Sequence, residues 1–156
     1  MPEIEAFRVL QEQFGGPSQS AWGSAVFLGQ LYDPSDLDRY ALATYRSFIG
    51  ELWDRFGEDA WMCRWRRVHV RRGAGDLLHE IETSKSRTVK SATDLLLNNN
   101  GSSGNQARAA ICAAFDDADT DVVHVYEIGD GAAYSGLLIA ARRSTGETAI
   151  LAFVMD

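Results

Sequence analysis

The stretch VVHVYEIGDGAAYSGLLIAARRSTGETAILAFVM, residues 122–155, decides the fold of this chain. It holds three apolar runs separated by two short sequences, GDG at 129–131 and STG at 144–146. Glycine and small polar residues of this kind are typical of tight turns, and tight turns join only antiparallel neighbours. The pattern therefore predicts a meander of three strands, at residues 122–128, 134–142 and 147–155.

The second and third runs are apolar at both odd and even positions, as Leu137 with Leu138 and Ile150 with Leu151 illustrate. Successive residues of a strand point to opposite faces, so a strand that is apolar at both parities is covered on both faces. We expect helices on both faces of the sheet, or helices together with a partner subunit. The second arrangement makes a homodimer possible.

Three segments space their apolar residues as a helix does. Residues 3–14 form a short amphipathic pattern. Residues 35–56 follow Asp33 and Pro34, which are typical of a helix start, and keep large apolar side chains on one face. Residues 105–116 form the third pattern. The sequence thus predicts one long helix and two shorter ones, and a further short helical segment at residues 93–97.

The segment 61–72 predicts a strand whose alternation breaks in the middle. Its apolar residues occupy odd positions at first and even positions from Val68 onward. A bulge of one residue at Arg66-Arg67 restores the alternation. A turn then leads to a return strand predicted at residues 77–83, which pairs with the first strand as a hairpin.

Together these elements predict an α+β fold. The chain has 156 residues and an apolar share of 46%, which suits one globular domain. We expect a single domain over residues 1–156. Its mainly antiparallel sheet has about five strands, ends in the C-terminal three-strand meander and packs against two or three helices.

Composition also bears on location. No apolar stretch approaches the ~18 residues of a membrane span, and no secretory signal is visible. The two cysteines, Cys63 and Cys112, are too few for a disulfide framework, so we expect free thiols in a reducing, cytoplasmic setting. Arginine outnumbers lysine thirteen to two and there are twenty alanines, which favours a GC-rich bacterial source.

Charge is distributed unevenly along the chain. Residues 61–90 hold eight basic and three acidic groups, a net charge of +5, whereas 1–60 and 91–156 each carry −6. The total of −7 makes nucleic acid and anionic membranes unlikely partners, because their phosphates repel an acidic protein. The basic band is therefore the most informative feature for function.

Arginine is the main component of this band, and its planar fork binds carboxylate or phosphate through two parallel hydrogen bonds. We expect these side chains to project together from one face of the kinked strand. The alternative interpretation is a solvated strand face whose charges pair with neighbouring carboxylates. The predicted anion-binding residues are Arg64, Arg66, Arg67, Arg71 and His69.

Catalysis finds little support in the sequence. The hairpin register brings His69 and His79 close to Glu80, and a histidine beside a carboxylate is the arrangement of a general base. No nucleophile accompanies them at a spacing with a known mechanism, so no catalytic residue is predicted. A metal site that included His124 would need two separate sheet segments to meet. No nucleotide-binding motif is present, and we expect neither a metal nor a cofactor.

The order of helices followed by a meander, in a small acidic chain, resembles bacterial immunity proteins and secretion chaperones. That resemblance implies an interaction role. Because no catalytic constellation is visible, we predict a cytoplasmic, non-catalytic binding protein that acts on another protein. The alternative is a small-molecule-binding protein or enzyme with an arginine-lined site for an anionic ligand.

Overall fold

The computed structural model describes residues 4–19, 23–50, 65–98, 104–129 and 135–155. Within these ranges no helix is both long and apolar enough to cross a membrane. The same ranges contain five α-helices, one short 3₁₀ helix and five strands. In chain order these are α1 (Glu5–Phe14), β1 (Gly23–Gln30), the 3₁₀ helix (Pro34–Asp36), α2 (Leu37–Ile49), β2 (Trp65–Arg72), α3 (Leu77–Glu82), α4 (Arg87–Asn98), α5 (Gly104–Phe115), β3 (Thr120–Gly129), β4 (Ser135–Arg143) and β5 (Glu147–Met155).

The five strands form one antiparallel sheet in the order β1-β5-β4-β3-β2. The predicted meander is confirmed, because β3 pairs with β4 and β4 pairs with β5. β1 pairs with β5 from Gly23 opposite Val154 to Gln30 opposite Glu147. The sheet therefore has β1 at one edge and β2 at the other.

Helices cover both faces of the sheet, as the doubly apolar strands predicted. One core lies on the face of α1, α3, α4 and α5 and takes Leu137 and Ile139 from β4. A second core lies on the face of α2 and takes Leu138 and Ala140 from the same strand. The α+β class is confirmed. Helices of the same chain provide this cover, so the sheet itself gives no reason for a partner subunit.

Helix α2 begins at the predicted place. The carboxylate of Asp33 accepts a hydrogen bond from the backbone N–H of Ser35 (2.9 Å), which starts the 3₁₀ turn ahead of the helix. The helix ends at Ile49, earlier than predicted, and Gly50 follows it with φ of +62°, a conformation that favours glycine. Some predicted positions lie outside the described residues: Leu52, Trp53 and Phe56 of the helix, and Trp61 and Cys63 of the strand.

Helix α3 takes the place of the return strand predicted at 77–83. Its N-cap is Asp76, whose carboxylate accepts a hydrogen bond from the backbone N–H of His79 (3.3 Å). The prediction was wrong because a helix of six residues shows too little periodicity to be told from a strand. Its buried side chains have helical spacing: Leu77, Leu78 and Ile81.

The other elements agree with the sequence or extend it. Helix α1 confirms the amphipathic pattern of residues 3–14, and α5 confirms the pattern of 105–116. The sequence indicated only a short helix at 93–97, but α4 has 12 residues. It starts earlier because the hydroxyl of Ser86 accepts a hydrogen bond from the backbone N–H of Val89 (3.2 Å) and so caps the helix.

Candidate functional site

Strand β2 carries the predicted anion-binding residues and contains a bulge. Sequence placed the bulge at Arg66-Arg67, and the register shift lies one position later, between Arg67 and His69, which leaves Val68 unpaired. Val68 packs against the first core, whereas Val70 is 42% exposed on the α2 face. The bulge is confirmed, but the expectation that the two valines share a face is wrong.

The arginines of β2 separate to the two faces of the sheet. Arg66 contacts Glu127 at 2.8 Å on the face of the first core, while Arg67 contacts Asp38 of α2 at 2.6 Å on the other face. The expectation that these side chains project together from one face is wrong, because alternation continues up to the bulge. Arg64 lies outside the described residues.

Arg71 is engaged in holding the fold together. Its side chain is only 9% exposed, and Nη1 lies 3.2 Å from Glu80 and 3.0 Å from Asp116. Nε donates to the carbonyl of Gly73 (3.0 Å), and Nη2 donates to the carbonyl of Phe115. This guanidinium thus joins the edge strand to α3 and to the end of α5.

His69 lies beside Glu80, as the sequence predicted, although α3 rather than a hairpin brings them together. His69 Nε2 is 2.6 Å from Glu80 Oε1. Burial alone would raise the pKa of Glu80, but hydrogen bonds from His69 and Arg71 outweigh burial and hold that pKa below its usual value. His79 is exposed on α3 and takes no part in this contact.

A cleft of about 430 Å³, here called the α3-side cleft, opens between β2 and the α3–α4 connection. Three of the predicted residues line it: Arg66, Arg67 and His69. Lys85 adds a cation for which the described part of the chain offers no ion-pair partner. Hydroxyl groups complete the wall, from Thr83, Ser84 and Ser86.

A second cluster, which the sequence did not predict, lies on the α2 face. Asp38, in the first turn of α2, accepts a hydrogen bond from the hydroxyl of Tyr126 (2.5 Å). His124 Nδ1 lies 3.1 Å from the same carboxylate oxygen and 3.0 Å from the Tyr126 hydroxyl. Arg67 contacts the other oxygen of Asp38, and Trp65 stacks on Tyr126 at 4.6 Å. One carboxylate therefore gathers three donors.

Burial dominates the electrostatics of this cluster. Burial and the Asp38 contact raise the pKa of Tyr126, so its hydroxyl remains protonated and donates. Burial also lowers the pKa of His124, against the opposing charge of Asp38. For Asp38 burial acts upward, but the Tyr126 hydrogen bond and the charges of His124 and Arg67 leave its pKa lowered. The stable state is a carboxylate beside a neutral imidazole.

The α2-side cleft, of about 310 Å³, opens over this cluster between β2 and the start of α2. Arg67, Arg72 and His124 line it together with Asp33. Sequence could indicate that His124 and Tyr126 share a strand face, two residues apart. It gave no signal for Asp38, because 86 positions separate that residue from His124.

Metal binding has no support in the described ranges, where no group of three histidine, cysteine, aspartate or glutamate side chains is arranged to hold an ion. Comparison of the chain with protein-family models, curated proteins and solved structures finds no match. The features of the described residues that bear on function are the β2 edge and its two clefts.

Proposed function

We propose that this protein is a non-catalytic binding protein that docks an acidic, extended segment of a partner protein along β2. The observation that carries the proposal is the position of β2. It is an edge strand, and in the described ranges it forms backbone strand pairs with β3 alone. An edge strand offers unpaired N–H and C=O groups, which an added strand can satisfy.

The other edge strand, β1, differs from β2 because other parts of the chain form hydrogen bonds with its backbone. On β1, the backbone N–H of Val26 donates to the carbonyl of Gly15 (2.9 Å). The Gln11 side chain donates to the carbonyl of Val26 (3.1 Å), and Ser24 donates to the carbonyl of Phe14. The end of α1 thus occupies the β1 edge, whereas the described residues place no such cover on β2.

The positive charge of β2 indicates which kind of segment docks along this strand. Arg66 is 72% exposed, Arg67 is 45% exposed, and Arg72 is exposed at the end of the strand. An acidic segment complements these cations, and complementary charge raises association rates and excludes wrong partners. A second copy paired through the same edge would place arginines beside arginines, which is unfavourable. A homodimer therefore has to use another surface and stays a prediction, checked by light scattering.

A synthetic peptide tests the docking. We expect a short peptide of alternating glutamate and valine to bind, and its lysine–valine counterpart to bind much more weakly. Fluorescence anisotropy gives the affinities, and amide chemical shifts locate the peptide on the protein. Affinity should fall with added salt, because exposed charge pairs are screened. The same acidic peptide with alternate backbone amides methylated keeps its charges but loses strand hydrogen bonds, so it should bind weakly.

Two matched double variants supply the control. Arg66→Ala with Arg72→Ala removes two cations from β2 and should weaken the acidic peptide about tenfold, since each charged contact contributes roughly 0.2–1 kcal/mol or more when shielded. Arg39→Ala with Arg108→Ala removes two exposed cations from helices and should leave the affinity unchanged. Equal effects of the two doubles, or full binding by the methylated peptide, would contradict docking along β2.

A second candidate is an arginine-lined site for a small anion in the α3-side cleft. Its support is the convergence of Arg66, Arg67, His69 and Lys85 on one cavity. It ranks second because Glu80 also lines this cleft, and its carboxylate, 2.6 Å from His69, repels a small anion. A thermal-shift screen with small organic acids separates the two proposals. If the cleft binds a small anion, a millimolar concentration of that anion raises the Tm, and Lys85→Ala reduces the rise. If the protein binds only a protein segment, no organic acid in the screen changes the Tm.

Location and source belong to this proposal as well. A cytoplasmic protein from a bacterium fits the small number of cysteines and the high content of arginine and alanine. Fractionation of cells that express the full gene, with detection by an antibody, tests the location directly.

A further inference from the structure

We infer that the α2-side cleft binds a phosphate group that carries a hydroxyl, either free hydrogen phosphate or a small phosphomonoester, through His124 Nε2 and Arg72. This site is separate from the peptide docking proposed above. It rests on the hydrogen-bond pattern of His124 and on Arg72, a cation of the cleft that pairs with no carboxylate of the described residues.

The pattern of hydrogen bonds fixes the tautomer of His124. Asp38 Oδ1 receives the proton of the Tyr126 hydroxyl at 2.5 Å, so that hydroxyl has no proton left for the imidazole. Nδ1 therefore carries the proton of the neutral ring and donates it to Asp38 or to the Tyr126 oxygen. Nε2 is left as a hydrogen-bond acceptor.

That acceptor has no partner in the described part of the chain. The side chain of His124 is only 10% exposed, and the residue lines the α2-side cleft. Nε2 is not among the fully enclosed side-chain atoms that lack a partner in the described ranges, so it is open to the cleft, where a donor can reach it. The donor must come from the ligand or from water.

Positive charge defines the rest of the ligand. Asp38 is compensated by Tyr126, His124 and Arg67, and Asp33 already accepts two hydrogen bonds from Ser35. Arg72 lines the cleft, and no described carboxylate pairs with it. The groups of the cleft without a partner among the described residues are therefore a guanidinium, which binds an oxyanion, and an imidazole acceptor, which can accept from a hydroxyl.

Hydrogen phosphate carries both features at neutral pH, and a phosphomonoester carries them in its monoanion, the form that prevails below its second pKa of about 6. A carboxylate or a sulfate offers oxygens to Arg72 but presents no hydroxyl to Nε2 at neutral pH. The cleft of about 310 Å³ also has room for more than the phosphate group alone, which admits a small monoester.

The test follows the imidazole of His124 by NMR during titration with inorganic phosphate, with a small phosphomonoester and with sulfate. We expect phosphate to shift the His124 resonances saturably and to raise the pKa of His124, because a bound anion favours the protonated ring. Sulfate should bind more weakly at pH 7. Tighter binding of the monoester than of phosphate would identify a metabolite, and the reverse would identify the free ion.

Three variants complete the test. Arg72→Ala should weaken phosphate about tenfold, as expected for the loss of one charge-assisted contact, whereas Arg39→Ala on α2 should change nothing. His124→Asn places an amide donor where Nδ1 was and removes Nε2, so it should keep the Tm and lose the preference for phosphate over sulfate. Unshifted His124 resonances in the wild type, or equal loss in the two arginine variants, would overturn the inference.

Discussion

Arg71 is the residue that most clearly separates a structural arginine from a functional one. Its guanidinium is buried among Glu80, Asp116 and two backbone carbonyls, so removal leaves two carboxylates without their cation. Breaking a buried pair typically costs about 3–5 kcal/mol. We expect Arg71→Ala to lower the free energy of unfolding by about 3 kcal/mol, measured by urea denaturation.

Arg66→Ala is the matched control, because this arginine is 72% exposed and pairs with one carboxylate, Glu127. Exposed pairs contribute about 0–1 kcal/mol, so its effect should be small. Arg71→Lys keeps the charge but loses the planar guanidinium fork. Its loss of unfolding free energy should lie between those of Arg66→Ala and Arg71→Ala. Equal losses of unfolding free energy in Arg66→Ala and Arg71→Ala would contradict the claim that the buried contacts of Arg71 stabilise the fold more than the exposed pair of Arg66.

Single residues also mark the limit of sequence reasoning about the site. The contact of His69 with Glu80 was predicted, although for the wrong structural reason. The faces on which Arg66 and Arg67 lie were not predicted correctly. The bulge lies one residue later than the sequence indicated, and a shift of one residue reverses which side chains share a face. The Asp38 cluster was beyond prediction, since its carboxylate comes from a helix distant in sequence.

At the scale of elements, long or strongly patterned segments were predictable and short ones were not. The meander was evident from its glycine turns and its double-sided apolar runs. α3 was mistaken for a strand, although Asp76 at its N-cap and apolar residues at 77, 78 and 81 are helical signals. In a segment of only six residues, the apolar positions fit the spacing of a helix and the alternation of a strand about equally well.

Gly136, near the start of β4, is a required glycine within an element. It lies between Ile128 of β3 and Val154 of β5, and a Cβ added there would overlap the carbonyl oxygen of Phe153. Gly136→Ala must therefore push strands apart. We expect it to lower the free energy of unfolding by about 2–3 kcal/mol, the range of overpacked cores, measured by thermal and urea unfolding.

Gly16→Ala is its matched control, because a Cβ at Gly16 meets nothing within 4 Å. That substitution should change stability by no more than about 1 kcal/mol. A tolerated alanine at position 136 would contradict the close approach of β4 and β5 at this position.

At the scale of the whole molecule, three arginines of the basic band pair with carboxylates from the other two thirds of the chain: Arg66 with Glu127, Arg67 with Asp38 and Arg71 with Asp116. Acidic residues before and at the start of β3 also contact the arginines that end β4: Asp117 and Asp119 contact Arg143, and Asp121 contacts Arg142. The basic band thus meets acidic groups from both other thirds of the chain. Arg72, exposed at the end of β2, has no carboxylate partner among the described residues, and the docking and phosphate proposals both use it.

The two cores share one sheet, so the molecule should unfold as a single unit, as a one-domain chain requires. Neighbouring residues of β5 enter different cores: Phe153 the first and Val154 the second. We expect Phe153→Ala and Val154→Ala each to cost about 2–4 kcal/mol and to lower the same single transition. Far-UV circular dichroism and tryptophan fluorescence should give one coincident midpoint for each variant. Two separated midpoints, each sensitive to one variant only, would mean that the cores are independent and that the single-domain prediction is wrong.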